Sequence, residues 1–443
     1  MNGGRNYSRV IVALSVLIFA FSAQATEIHK VVSDKGIVAW FVPDKSVPLI
    51  AVSFAFRNAG SATDPDGKEG LAEMTSSLLD EGAGEMKSQD FQRAVEEIAA
   101  QLSFSAGRDT FSGQLRTLSA ERGKAFDLLK QALNNPRFDA QPVKRIRSQI
   151  IASLRQQAEN PRRISGRLWS KTVFPGHPYS KPSAGTEPTV SNISAPDLHS
   201  FVRHRFSRNR LIIGVVGDIT ETELKTHLDT VFGNLPARGK TVEIPDIKPA
   251  GNGKTLIVRK QIPQSVILLG HAGIKRDDPD WYAALLVTRV FGGGGLSSRL
   301  YEEIREKRGL AYSVYAYLNP MEHSALLAGG VATQNGRAGE SLAVIRAEWK
   351  KLADKGITAH ELENAKTYLN GSFPLRLGSS RGIANMLVGI QRSYLGMDYI
   401  EKRPSLINSI TLEQVNRVAR RLFRADDLTV VVVGDPKGIK ETP

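Results

Sequence analysis

Two apolar runs set the plan of the chain. Leu211 to Thr220, LIIGVVGDIT, and Leu428 to Pro436, LTVVVVGDP, are strings of mostly β-branched residues that both end in Gly-Asp. A run without polar alternation marks a strand buried on both faces. Before each comes an amphipathic helix pattern, APDLHSFVRHRFSRNR after a cap at Ser194 and LEQVNRVARRLFRADD after a cap at Thr411. The starts agree too. PLIAVSFAFRNAGSATDPDGKEGLAEMTSSLL from Pro48 and QSVILLGHAGIKRDDPDWYAALLVTRVFG from Gln264 each read as strand, Asp-Pro turn and helix. A repeat this long, with strands and helices mixed, predicts a duplicated α+β domain rather than a solenoid, whose period is about 20–50 residues. The stretch PARGKTVEIPDIKPAGNGKT, Pro236 to Thr255, reads as the linker between the copies.

Length agrees, since 443 residues exceed what one core of roughly 250–300 residues holds. Arg5 and Arg9, the apolar run Val10 to Phe21 and Ala23-Gln24-Ala25 form a secretory signal with cleavage expected before Thr26. The expected divisions are therefore a signal at 1–25, a first domain at 26–235, a linker at 236–255 and a second domain at 256–443. The mature chain is expected to be periplasmic or secreted, with no membrane span. With no cysteine there is neither disulfide nor thiolate ligand. The net charge of +14 is strongly basic, but basic and acidic residues are interspersed and no aromatic-basic module appears. That pattern reads as a solvated surface, with attraction of acidic peptides as a secondary use, and argues against nucleic acid.

Three local motifs carry no chemistry. Gly251 to Thr255, GNGKT, ends like a phosphate-binding loop, yet Lys248 stands where that loop needs its first glycine and the next residues read as a strand. The run Gly292 to Gly295 lacks the lysine of a phosphate cradle and reads as a mobile or tightly approached loop. His360 to Asn364, HELEN, lacks a second histidine and reads as a helix start capped by Thr358.

The helix EGLAEMTSSLLDEGAG, Glu69 to Gly84, places Glu73, Ser76 and Ser77 with the spacing of a metal site but without its donors. Together with FPGHPYSKPSAGTEPTV, VVGDIT and SSRLYEEIREKRGLAYSVYA, it makes nearly the whole mature chain resemble the pitrilysin or inverzincin family of zinc peptidases, in the branch of the mitochondrial processing peptidases and their bacterial relatives. The resemblance implies two homologous α/β-sandwich-like domains in a clam-shell arrangement. It also implies a His-x-x-Glu-His helix, whose positions fall on Glu73, Ser76 and Ser77, so no functional position of the motif survives. Serine is a poor zinc ligand and a poor base near neutral pH. The family's third ligand, a glutamate, should fall in QPVKRIRSQIIASLRQQA, Gln141 to Ala158, which has no Asp or Glu. No metal is expected on this chain.

The family's substrate-holding arginine and tyrosine map onto Arg305 and Tyr312, with Arg299 and Arg308 as neighbouring alternatives. The resemblance thus implies a chain inactive alone: the substrate-binding subunit of an exported heterodimeric zinc endopeptidase. Its partner would be a homologous subunit carrying His-x-x-Glu-His and the zinc, its substrate a peptide or unfolded polypeptide. A stand-alone peptide-binding or chaperone-like protein is the alternative.

Overall fold

The computed structural model describes residues 27–442, so the signal expected at 1–25 lies outside the described residues. The first half runs β1 (His29–Val32), β2 (Val38–Pro43), β3 (Leu49–Arg57), α1 (Leu71–Ser76), a short hairpin of β4 (Gly82–Ala83) and β5 (Met86–Lys87), α2 (Ser88–Glu97), β6 (Gln101–Ala106) and β7 (Thr110–Leu118). It continues through α3 (Arg122–Asn134), α4 (Ala140–Ala158), α5 (Pro161–Val173), α6 (Glu187–Ser191), α7 (Ala195–Arg205), β8 (Leu211–Gly217) and α8 (Glu221–Phe232). The second half runs β9 (Thr255–Arg259), β10 (Gln264–Ala272), α9 (Trp281–Thr288), α10 (Arg299–Tyr301), β11 (Val314–Pro320), β12 (Ala325–Gln334), α11 (Ala338–Lys355) and α12 (Ala359–Ser372). It closes with α13 (Ser380–Arg392), α14 (Tyr399–Asn408), α15 (Leu412–Leu422) and β13 (Thr429–Gly434).

The sheets show the duplication directly. The first has the order β1-β2-β8-β3-β7-β6 and the second β11-β12-β10-β13-β9. In each, the last strand of the half enters between earlier strands. β8 lies parallel to β2 and antiparallel to β3, and β13 lies parallel to β9 and antiparallel to β10. Capping boxes at Ser194 and Thr411 start the helices that precede these strands.

Both central strands are buried on both faces, and the two faces have different covers. Val430 and Val432 point into the second half's own core with Trp349 and Phe423, whereas Val431 packs against Trp169 and Val173 of α5, from the first half. The Trp169 indole Nε1 donates to the Thr429 carbonyl at 3.2 Å. The reverse holds on β8. Ile213 and Val215 face the first half's core, while Val216 meets Ala384 and Leu387 of α13, from the second half. Each half therefore lends one helix to the other's sheet, and a cut within 236–255 leaves α5 and α13 on opposite sheets. Glycine makes the approach possible on both sides: a Cβ at Gly214 would lie 2.5 Å from the Ala384 oxygen, and one at Gly270 would lie 3.0 Å from the Trp169 ring.

The linker follows the surface of both halves. Arg208 N donates to Pro236 O at 2.9 Å, Ala250 N to Val173 O at 2.8 Å and Ile247 N to His323 O at 2.8 Å. Gly251 to Lys254 turn directly into β9, so no helix follows GNGKT. Among the described residues no helix is long and apolar enough to cross a membrane.

Candidate functional site

Helix α1 is short and fastened at its start. Gly70 takes a left-handed φ of 97°, and Asp64 accepts from Gly70 N at 2.9 Å and Ala72 N at 3.0 Å. Burial drives the Asp64 carboxyl up to about 7, against the pull of those amides and of Arg205. The Lys181 to Thr189 loop clamps the same point: Thr189 Oγ1 donates to Glu69 O at 2.8 Å, Lys181 pairs with Glu69 at 3.2 Å, and Gly185 leaves no room for a Cβ beside the Glu69 oxygen. Two of the segments that carry the family resemblance thus interlock to set the position of α1, and Leu71, Met74, Leu78 and Leu79 bury its other side.

On this fixed helix the three candidate positions do come together, but not as ligands. Ser76 Oγ donates to the Glu73 carbonyl at 2.8 Å and Ser77 Oγ to the same oxygen at 3.1 Å, so both hydroxyls are spent on their own backbone. The Glu73 carboxylate, half-buried, is pushed up by desolvation. The helix packed beside α1, α4, has lysine and arginine but no carboxylate. Of those, Arg145 pairs with Glu81 and Arg147 donates to Ile193 O at 2.6 Å. A zinc ion needs three or four converging donors. These residues do not fit one, and among the described residues no group of three or more His, Cys, Asp or Glu could hold a metal.

Arg305 and Tyr312 are brought into contact. The guanidinium lies over the Tyr312 ring at 4.3 Å from the centroid and over the Tyr301 ring at 5.0 Å. Tyr312 is 80% exposed. The nearest carboxylate to Arg305 is Glu306, at 3.8 Å. The alternatives are engaged elsewhere: Arg299 makes a bidentate pair with Glu361 at 2.6 and 2.7 Å, and Arg308 pairs with Glu303 at 2.5 Å. Glu361 is also the partner of Thr358 in the capping box that opens α12, which accounts for HELEN. A guanidinium with only a long carboxylate contact, beside an exposed phenol, can hold a peptide carbonyl or donate to an oxygen gaining charge.

Two consecutive family models match the chain. Residues 50–187 match that of insulinase, peptidase family M16, and residues 192–369 that of the peptidase M16 inactive domain. The chain belongs to peptidase family M16. A Helicobacter pylori protein described as the non-peptidase homolog YmxG is 24% identical over 429 residues, 97% of this chain and 99% of that one. A Bacillus subtilis protein described as the uncharacterized zinc protease YmxG is 26% identical over 376 residues, covering 83% and 89% of the two chains. Among solved structures, a peptidase M16 inactive domain from Pseudomonas fluorescens matches with a TM-score of 0.86 at 26% identity, over 94% of this chain and all of that one. The M16 fold, two homologous α+β domains, is therefore the fold of this chain, and its likeness to members described as non-peptidase or inactive agrees with the absent ligand set.

Sequence reading missed one feature of this M16 chain. Arg289, Arg376 and Arg403 line one pocket with Trp281, Tyr317, Tyr368 and Phe373. These residues come from four separate stretches of the chain, so no contiguous aromatic-basic module signals them. Only the run from Asn364 to Met397, which holds Arg376, Arg381 and Arg392 but no Asp or Glu, hints at it.

Proposed function

We propose that this chain is the substrate-binding, non-zinc-holding subunit of an exported two-chain M16 endopeptidase, which supplies Arg305 and Tyr312 to a site whose metal sits on a homologous partner. The observation that carries this reading is the contrast between its two half-sites. On α1 every metal-binding donor is replaced, while Arg305, unlike Arg299 and Arg308, has only a long carboxylate contact, Glu306 at 3.8 Å, and rests on an exposed tyrosine. A residual half of an active centre is useful when another polypeptide supplies the remainder. The expected signal at 1–25 supports a periplasmic or extracellular site for the pair.

The test is co-expression with a homologue of similar length that carries His-x-x-Glu-His, followed by size-exclusion with light scattering and a fluorogenic peptide assay. A single peak at the mass of one copy of each, with activity only in the mixture, is expected. Two separate peaks at micromolar concentration overturn the heterodimer. Peptide binding by the chain alone, without any such pairing, would then favour the stand-alone binding protein, a role compatible with the name non-peptidase homolog given to the H. pylori relative.

A further inference from the structure

The pocket bounded by α9, β11, α12 and the turn after it has a volume of about 480 Å³ and a wall without Asp or Glu. Three guanidiniums enter it. Arg289 stacks on the Tyr368 ring at 3.6 Å, and its Nε is buried with no hydrogen-bond partner. Arg403, 8% exposed, lies 4.2 Å from the Phe373 ring centroid and donates to the Leu369 carbonyl at 2.9 Å. Arg376 adds its charge from the exposed rim. The hydroxyl of Thr288, also in the wall, is buried without a partner. The acids just before α9 are no help, because Asp278 and Asp280 are held by Arg417 and Arg421.

Buried or half-buried arginine is normally paired, since desolvating a cation with no counter-charge is costly. Here burial, joined by the nearby charge of Arg376, pushes the Arg403 guanidinium down, and Tyr399 offsets this only in part. An anion in the pocket would relieve both effects, and the planar guanidinium fork fits a carboxylate through two hydrogen bonds. Aromatic walls and this volume suit an anion carried on an apolar body about the size of a few side chains. The pocket also adjoins a sheet edge. β11 ends the second sheet, and its Tyr317 and Leu318 form part of the wall, so an extended chain laid along that edge would deliver a side chain or terminus into the pocket.

We propose that this pocket is a peptide-carboxylate subsite, in which Arg289, Arg376 and Arg403 hold an acidic side chain or a C-terminal carboxylate while Trp281, Tyr368 and Phe373 pack against its apolar neighbour. It goes beyond the heterodimer reading and needs no partner, so it is tested on this chain alone. Isothermal titration uses four probes: a capped peptide with an internal Phe-Glu, a neutral Phe-Gln analogue with an amidated end, the analogue with a free C-terminal carboxylate, and inorganic phosphate. At least one carboxylate peptide is expected to bind at least about tenfold more tightly than the neutral analogue, and which one identifies the source of the charge. Arg376→Gln, on the exposed rim, is expected to remove about tenfold of that affinity with unchanged circular dichroism, and Arg289→Gln a similar factor. Equal binding of the neutral analogue, no binding of any peptide, phosphate binding as tight as the peptides, or unchanged affinity in Arg376→Gln each overturns the proposal.

Discussion

The Arg305 guanidinium sits face-on over the Tyr312 ring, 4.3 Å from its centroid, with Nη1 3.4 Å from the Tyr312 carbonyl oxygen. The pair is local: a short helical turn and the loop after it hold both residues, so it is formed before any partner arrives. Positioning of this kind lowers the ordering cost of binding. Arg299, by contrast, is fixed to Glu361 and ties the same segment to the start of α12.

In a reconstituted active pair, Tyr312→Phe and Arg305→Ala are each expected to lower kcat by about 10²–10³, the usual loss on removing one donor to a developing oxyanion. Arg305→Ala should also raise KM, because a guanidinium holds the substrate backbone in the ground state as well. Arg299→Ala is expected to lower stability instead. Steady-state kinetics beside thermal melts separate the two classes; wild-type kcat/KM in both Tyr312→Phe and Arg305→Ala assigns them a structural role.

Glu73→Gln should raise the melting temperature at neutral pH. Desolvation has pushed this carboxyl up, so the fold favours its neutral form, and the ionised form weakens the folded state as pH rises through the folded value. The gain should shrink in acid, where Glu73 is already protonated. Scanning calorimetry at pH 7 and pH 4 checks it, and a lower melting temperature at pH 7 would show that Glu73 has a partner in solution.

The exchanged helices should make the two halves unfold together. Gly214→Val would drive a side chain into Ala384 and Leu387 of α13, at an overpacking cost of about 1–3 kcal/mol. Trp169→Ala would empty the contact of α5 with β13, at about 3–5 kcal/mol. Urea unfolding followed by circular dichroism should keep one transition in both variants. A second transition confined to one half would show that the exchange does not couple them.

Acid should destabilise the second half through His271. This ring is buried; its Nε2 accepts from the Trp349 indole at 3.1 Å, so its Nδ1 donates to the Ala272 carbonyl at 2.8 Å. Burial holds its pKa down to about 4 from an ordinary 6.5. The stabilisation is therefore complete above about pH 6.5 and is lost as pH falls through about 4, up to roughly 3 kcal/mol in all. Denaturant unfolding between pH 7 and pH 4 should show this slope in the wild type and a shallower one in His271→Gln. Parallel slopes would place the acid-sensitive group elsewhere.

The duplication and the family were legible in the sequence because their signals are local. LIIGVVG and LTVVVVG announce strands covered on both faces through their unbroken apolar character, and the zinc motif occupies a single turn of helix, so its loss at Glu73, Ser76 and Ser77 can be read directly. What covers those strands was not legible. A hydrophobic face specifies burial but not the partner, so only packing decided that α5 lies on the second sheet and α13 on the first. Only the tertiary structure likewise distinguishes Arg305, whose carboxylate contact is 3.8 Å long, from Arg299 and Arg308, which have close ones. The same holds for Arg289, Arg376 and Arg403: each alone resembles a solvated surface charge, and their meeting in one acid-free pocket follows from the long-range packing of α9, β11, α12 and α14.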